Sequence, residues 1–335
     1  MLAAMERRWL LALSTLVLAC SDTGGAGGDD SAATTGTGDE SSSAATETGG
    51  PGETDTGDTG DTGDAGPTCD GSGLGPGDHT VSFEHDGLQR VASIHVPPGY
   101  DSSEPTPLVL NFHGLGSNGT QQAFFSYMNE VADAEGFVVV YPEGTVNADG
   151  RRAWNAGVCC TDDPNVDDIG FVAALLDRLD AELCVDPDRR FATGMSNGGL
   201  MSFAVGCELA DDVAAIAPVA GLLAIPTQDC NPSRPVPMWE IHGTIDELVD
   251  YAGAQASAER WAELNGCEAT TRVSFQNGVV TCEQWACPQG DEVEFCTGEG
   301  VNHCWPGQQL CVDPPSTLDI DSSATIWAFF AAHPR

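Results

Sequence analysis

Arg190-Phe191-Ala192-Thr193-Gly194-Met195-Ser196-Asn197-Gly198-Gly199 decides how this chain folds. Phe191 to Thr193 can finish a buried strand, and Leu200 to Ala204 opens an apolar helix. Between them lies the pattern G-x-S-x-G, centred on Ser196. A strand that turns directly into a helix holds its central serine in a cramped geometry, which only small neighbours allow; Gly194 and Gly198 leave that room. The serine hydroxyl is then exposed at a helix N-terminus, where free amides can stabilise a developing oxyanion. The bare pattern is weak in a Gly/Ser-rich chain, and its position between strand and helix is what makes Ser196 a candidate nucleophile rather than a turn residue.

Outward from this point the pattern alternates strand and helix. Residues 80–85 and 88–95 read as a hairpin turning at Asp86-Gly87. Residues 108–112 are apolar except for Asn111, as expected of a central parallel strand. Helical spacing over 121–134 precedes a buried strand at 137–141, and a helix over 167–183 precedes the strand that ends at Ser196. Strands are expected at 213–219 and 236–242, a helix at 252–264, strand-like runs at 271–275 and 293–296, and a final helix at 321–332. The alternation implies an α/β fold with a doubly wound, mostly parallel sheet.

A serine nucleophile needs a base oriented by an acid, and on this architecture the chain order is Ser, Asp or Glu, His. Two histidines follow the 236–242 strand, His303 and His333. His333 sits near the chain end, where a solvated helix terminus explains it. His303 lies in the Gly/Pro-rich run Gly300-Val301-Asn302-His303-Cys304-Trp305-Pro306-Gly307, just past a strand, which is where such sheets carry their chemistry. Asp246 falls just past the 236–242 strand, whereas Asp250 precedes a helix and reads as its cap. Backbone amides near Leu115, in Phe112-His113-Gly114-Leu115-Gly116, and at Asn197 form the expected oxyanion pair. His113 and His242 each precede a glycine at a strand end, and packing beneath the site is expected of both. Trp154 and Trp305 are candidates to line a substrate pocket, where an aromatic face suits a flat apolar group, or else are core tryptophans.

Residues 1–20 read as a targeting segment, with Arg7 and Arg8 ahead of an apolar core too short to span a membrane. It ends in Leu16-Val17-Leu18-Ala19-Cys20, which resembles a bacterial lipobox and implies a lipid anchor on Cys20. An ordinary signal peptide cut nearby is the alternative, and either implies export. Residues 21–67 carry no aromatic residue and no Arg, and include the run Asp55-Thr56-Gly57-Asp58-Thr59-Gly60-Asp61-Thr62-Gly63-Asp64. Such a segment buries too little apolar surface to offset its ordering entropy, so a disordered tether is expected; it lacks the glutamate and hydrophobic spacing of a calcium hand. Residues 68–335 then form one domain, large enough for a well-filled core.

The chain has 51 Asp+Glu against 12 Lys+Arg, all 12 of them Arg, for a net charge of −39. That balance argues against nucleic acid and anionic membrane surfaces as partners. Of 13 cysteines, 12 remain after Cys20, which points to disulfides in an exported protein. No C-x-x-C pair opens a zinc site, Cys159 and Cys160 are adjacent, and neither metal nor cofactor is expected.

Six ordered motifs carry a family resemblance: Phe112-His113-Gly114, Trp154-Asn155-Ala156-Gly157, Asp167-Asp168-Ile169-Gly170-Phe171, Gly194-Met195-Ser196-Asn197-Gly198-Gly199, His242-Gly243-Thr244-Ile245-Asp246 and His303-Cys304-Trp305-Pro306-Gly307. From Cys69 to Arg335 the chain resembles the polyhydroxybutyrate depolymerase and feruloyl esterase family of secreted α/β hydrolases, which are carbohydrate esterase family 1-like. Glu182-Leu183-Cys184-Val185-Asp186 is similar to the feruloyl esterase branch in particular. The resemblance implies an α/β-hydrolase fold and a serine esterase, expected as a monomer, with Ser196 as nucleophile, Asp246 as acid and His303 as base. Its expected substrates are feruloyl or related acyl esters on plant polysaccharide, then polyesters such as polyhydroxybutyrate. A serine peptidase with the same triad order and an inactive surface-binding module are the alternatives. Asp250, where relatives commonly have Pro, and Val301-Asn302, where they commonly have two Gly, depart from the family pattern. Resemblance and spacing suggest the disulfides Cys69–Cys184, Cys207–Cys230, Cys267–Cys287 and Cys282–Cys296. Cys304 with Cys311 is expected across the His303 loop, and Cys159 with Cys160 either pair with each other or reach different partners.

Overall fold

The structure is a computed structural model and describes residues 69–157, 159–226, 228–290, 292–308, 311 and 313–335. The targeting segment, Cys20 and the acidic 21–67 segment lie outside the described residues.

β1 (Gly77–His85) and β2 (Leu88–Val96) form the expected hairpin, and positive φ at Asp86 and Gly87 closes the two-residue turn. β3 (Thr106–Phe112) follows, then α1 (Gly119–Ser126), α2 (Met128–Glu135), β4 (Val138–Pro142) and the small pair β5 (Thr145–Val146) and β6 (Arg152–Ala153). α3 (Asp168–Glu182), β7 (Val185–Met195), α4 (Asn197–Glu208), β8 (Ala215–Val219), β9 (Met238–Gly243) and α5 (Tyr251–Leu264) continue the alternation. β10 (Thr271–Asn277), β11 (Val280–Trp285), β12 (Val293–Gly298) and α6 (Ser322–Ala332) end it.

The main sheet has ten strands in the order β1-β2-β4-β3-β7-β8-β9-β12-β11-β10. β4, β3, β7, β8, β9 and β12 run parallel, with antiparallel strands at both flanks. β3, β4, β8 and β9 are buried at every position. That is the pattern of parallel strands covered on both faces, and each fully buried Val, Leu or Ile there contributes about 1.5–3 kcal/mol. On one face Phe171, Leu175 and Leu179 of α3, Leu200, Phe203 and Ala204 of α4 and Ala254, Ala258 and Trp261 of α5 complete the core. On the other, Met128 and Ala132 of α2 join Ile326, Phe329 and Phe330 of α6. This is the α/β-hydrolase arrangement, a mostly parallel sheet wound on both sides.

Besides the short pair β5 and β6, which the sequence did not suggest, two longer elements differ from the expectation. The helix expected over 121–134 is broken at Tyr127, which takes a left-handed φ of 52° between α1 and α2. Tertiary contacts outcompete helix propensity there. The Ser323 hydroxyl donates to the Ser126 carbonyl, and Asn111 Nδ2 donates to Ser126 Oγ at 3.1 Å. β11 was not foreseen, because its pattern is mixed and its partners are non-local. Cys282 stands directly opposite Cys296 of β12 and is bonded to it, which fixes that register.

Candidate active site

Ser196 sits between β7 and α4 with φ 59° and ψ −124°, a conformation that a side-chain-bearing residue adopts only when its surroundings impose it. The neighbours explain the glycines. A Cβ on Gly198 would collide with the Phe112 carbonyl, and one on Gly194 would lie 2.6 Å from the same oxygen. The turn is therefore seated directly on the end of β3. A Cβ on Gly114 would lie 3.4 Å from Ser196 Cβ and 3.9 Å from Ser196 Oγ, so the loop after β3 passes beside the hydroxyl. Within the described residues the amides of Leu115, in that loop, and Asn197, the first residue of α4, carry no hydrogen bond.

A buried polar chain holds this corner. Asn197 Oδ1 accepts from the Trp154 amide at 2.7 Å, and its Nδ2 donates back to the Trp154 carbonyl at 3.2 Å. The next amide, Asn155, donates to Asp168 Oδ2 at 2.7 Å. Arg90 on β2 donates to Asp168 Oδ1 at 2.5 Å and lies 3.7 Å over the Phe171 ring. Arg90 and Asp168 are both buried, so each is stable in the core only because the other neutralises it.

Because β7, β8, β9 and β12 are parallel neighbours, the residues beyond their C-terminal ends share one edge of the sheet. Asp246 follows β9 and His303 follows β12 on that edge. His303 Nδ1 donates to Asp246 Oδ2 at 2.7 Å, and both side chains are buried. Asp246 Oδ1 accepts from the Leu248 and Val249 amides at 2.9 and 2.8 Å. Burial alone would raise the Asp246 pKa, but donation from His242 and His303 outweighs it and holds the carboxyl well below the usual carboxylate range. An imidazole whose Nδ1–H is fixed on a carboxylate presents Nε2 as a base.

Asn302, one of the departures from the family pattern, has a structural role here. Its Oδ1 accepts from the His303 amide at 2.9 Å and from the Glu247 amide at 3.3 Å, so one side chain ties the His303 loop to the Asp246 loop. Its Nδ2 donates to Asp313 at 3.1 Å. No motif predicted this, since the residue's value lies in bridging two loops that are 55 residues apart.

The remaining expectations resolve as follows. Asp250 caps α5, accepting from the Gly253 amide at 2.9 Å. His333 caps the end of α6 and donates from Nδ1 to the Phe329 carbonyl at 2.7 Å. Trp154 and Trp305 do not line a cleft: they are 0% and 1% exposed and belong to opposite layers of the core. Each indole N–H is satisfied internally, by the His113 carbonyl at 2.9 Å and by Ser323 Oγ at 3.0 Å, so nothing of either ring is offered to a ligand. The disulfides are Cys69–Cys184, Cys159–Cys160, Cys207–Cys230, Cys267–Cys287, Cys282–Cys296 and Cys304–Cys311. Among the described residues the one cluster of metal-ligating types is Cys282, Glu294 and Cys296, and its two sulfurs are bonded to each other.

Residues 100–280 match the phospholipase/carboxylesterase family, and the chain belongs to it. The feruloyl esterase B of Piromyces equi is 33% identical over 233 residues, which is 64% of this chain but 42% of that protein. The chain thus spans less than half the length of that relative. The feruloyl esterase C of Emericella nidulans is 31% identical over 251 residues, covering 72% of this chain and 84% of the relative. Among solved structures, an acetyl xylan esterase from Aspergillus awamori shares the fold at a TM-score of 0.58 and 16% identity, over 76% of this chain and 99% of that one.

Proposed function

We propose that the protein is a serine carboxylic ester hydrolase of the feruloyl esterase type, with Ser196 as nucleophile, His303 as base and Asp246 as the residue that orients it. The observation that carries this reading is the 2.7 Å His303–Asp246 hydrogen bond on the same sheet edge as a serine held in a left-handed elbow. His303 Nε2 takes the Ser196 proton as Oγ attacks the ester carbonyl carbon. The resulting oxyanion is held by the Leu115 and Asn197 amides, each donor being worth about 3 kcal/mol in such sites. His303 then passes the proton to the leaving alkoxide, and the alcohol departs. Water attacks the acyl-Ser196 ester, with His303 again as base, and releases the acid and the free serine. The alignments with the Piromyces and Emericella feruloyl esterases favour a hydroxycinnamoyl ester on plant polysaccharide as the substrate.

The same reading places the protein outside the cytoplasm, held by a lipid on Cys20 and reaching its substrate on the acidic tether. The paired cysteines support an oxidising compartment. Hydrolysis of methyl ferulate, acetylated xylan, p-nitrophenyl butyrate and a polyhydroxybutyrate film by the domain from Cys69 onward tests the reading. Release of ferulate at the highest kcat/KM is expected. Inactivity on every ester would overturn it, and preference for the film or for acetylated xylan would overturn the substrate class.

A further inference from the structure

β9 carries two buried ionisable residues that the proposed chemistry does not use. Glu240 and His242 lie two apart on one face of the strand, are 0% and 1% exposed, and continue inward from Asp246. His242 Nε2 donates to the Val249 carbonyl at 3.0 Å and lies 3.3 Å from Asp246 Oδ2, the oxygen that His303 also uses. Its other nitrogen, Nδ1, lies 3.6 Å from Glu240 Oε1, too long for a hydrogen bond but close for an ion pair. Among the described residues neither Glu240 oxygen nor His242 Nδ1 has a hydrogen-bond partner. A carboxylate in a dry interior is tolerated in its neutral form or beside a cation, and His242 is the cation at hand. The line of groups is therefore Glu240, His242, Asp246, His303.

We propose that Glu240 and His242 are positioning residues of the esterase site: Glu240 keeps His242 in its charged form, and that imidazolium shares the Asp246 carboxylate with His303, limiting how tightly His303 holds a proton. The proposal rests on the triad reading. A second cation on the Asp246 oxygen that His303 uses weakens the pull of that carboxylate on a proton at His303. The direction of titration agrees for His242, and for Glu240 above about pH 7. Burial, the largest influence on His242, works against its charge, but Asp246 and Glu240 outweigh it and raise its pKa to about 9. Burial raises Glu240 to about 7, with His242 opposing. The groups facing the pair are Asp246 from the loop after β9, His303 from the loop after β12, and Tyr251 of α5, whose ring is 6.2 Å from His242 and whose hydroxyl is engaged with Thr297 on β12 at 2.7 Å.

The test is the acid limb of kcat/KM against pH, measured on p-nitrophenyl butyrate, which reports the base in the free enzyme. Glu240→Gln and His242→Gln both remove the imidazolium, so each should move that limb to higher pH, by on the order of one unit. Unmoved limbs in variants with the wild-type circular dichroism spectrum would overturn the proposal. A second measurement needs neither variant nor activity. In histidine-15N-labelled protein carrying Ser196→Ala, one imidazole should remain protonated on both nitrogens at pH 8. His95→Gln in the same background removes the other imidazole that two carboxylates hold, those of Asp78 and Asp133. Absence of any doubly protonated imidazole at pH 8 would sink the idea, whereas failure of the triad reading would show only as activity retained by Ser196→Ala.

Discussion

His113 and His242 occupy the same kind of place, each buried and each followed by glycine at the end of a parallel strand, yet their surroundings push their titration in opposite directions. His113 Nδ1 donates to the Gly114 carbonyl at 2.8 Å, and its Nε2 accepts from the Gly144 amide at 3.0 Å. Its hydrogen-bond partners are backbone groups, and the nearest carboxylate, Glu143 at 4.0 Å from Nε2, is already paired with Arg152 at 3.0 Å. Burial dominates, Arg152 adds to it, and the pKa falls to about 4. His242 has carboxylates on both sides, which reverse the same burial penalty. The partners, and not the depth, decide the charge. The contrast extends to the two halves of the site. Around His113 and the Ser196 elbow, a closed network of amides, Asn197 and the Arg90–Asp168 pair fixes shape. Around His242, two carboxylates and two imidazoles form one line of ionisable groups.

The contrast breaks most visibly at its most buried pair. Asp168→Ala leaves Arg90 as an uncompensated buried charge and unties the Asn155 amide, so unfolding free energy should fall by about 4 kcal/mol. Denaturant titration measures it, and a loss under about 1 kcal/mol would show that the pair is not what secures this half.

The next effect depends on pH. Below pH 6.5 the unfolded chain protonates its histidine while His113 in the folded protein does not until about pH 4. Stability from this group is therefore complete above pH 6.5 and declines as pH falls toward 4. The difference between wild type and His113→Gln should change by about 3 kcal/mol across that window. A difference independent of pH would mean that folding does not shift the His113 titration.

Replacing both Cys304 and Cys311 by serine removes a short loop closure worth roughly 2.5 kcal/mol. The bridged segment adjoins His303, whose carbonyl accepts from the Asp313 amide at 3.3 Å. The variant should lose kcat at temperatures well below its melting point. Full activity with only a lower Tm would make the bridge merely structural.

The remaining effect has the opposite pH sign to that of His113. The folded His242 pKa is raised, so its stabilisation is complete below pH 6.5 and is lost as pH rises through about 9. His242→Gln should flatten the alkaline side of the stability profile; an unchanged alkaline slope would contradict the charged state.

The parts of this site that were legible in the sequence are those tied to chain order and backbone geometry. The elbow glycines, the Ser–Asp–His order and the Asp86-Gly87 hairpin each follow from a local rule. What was not legible depends on neighbours brought together from a distance. The sequence marks His113 and His242 alike because each is a histidine before a glycine, and Glu240 hides in a strand buried at every position. Trp154 and Trp305 looked equally suited to a pocket or to a core until packing placed them in opposite layers. Asn302 breaks the family pattern and gains its purpose only when Glu247 is beside it.

Covalent labelling tests the central claim most directly. A fluorophosphonate reacts with a serine only where a neighbouring base and oxyanion donors activate it. Intact mass measurement of the domain from Cys69 onward should show a single adduct, mapped by digestion to Ser196, absent in Ser196→Ala and formed far more slowly in His303→Ala. No adduct on the wild-type protein, or an adduct that persists in Ser196→Ala, would contradict the account.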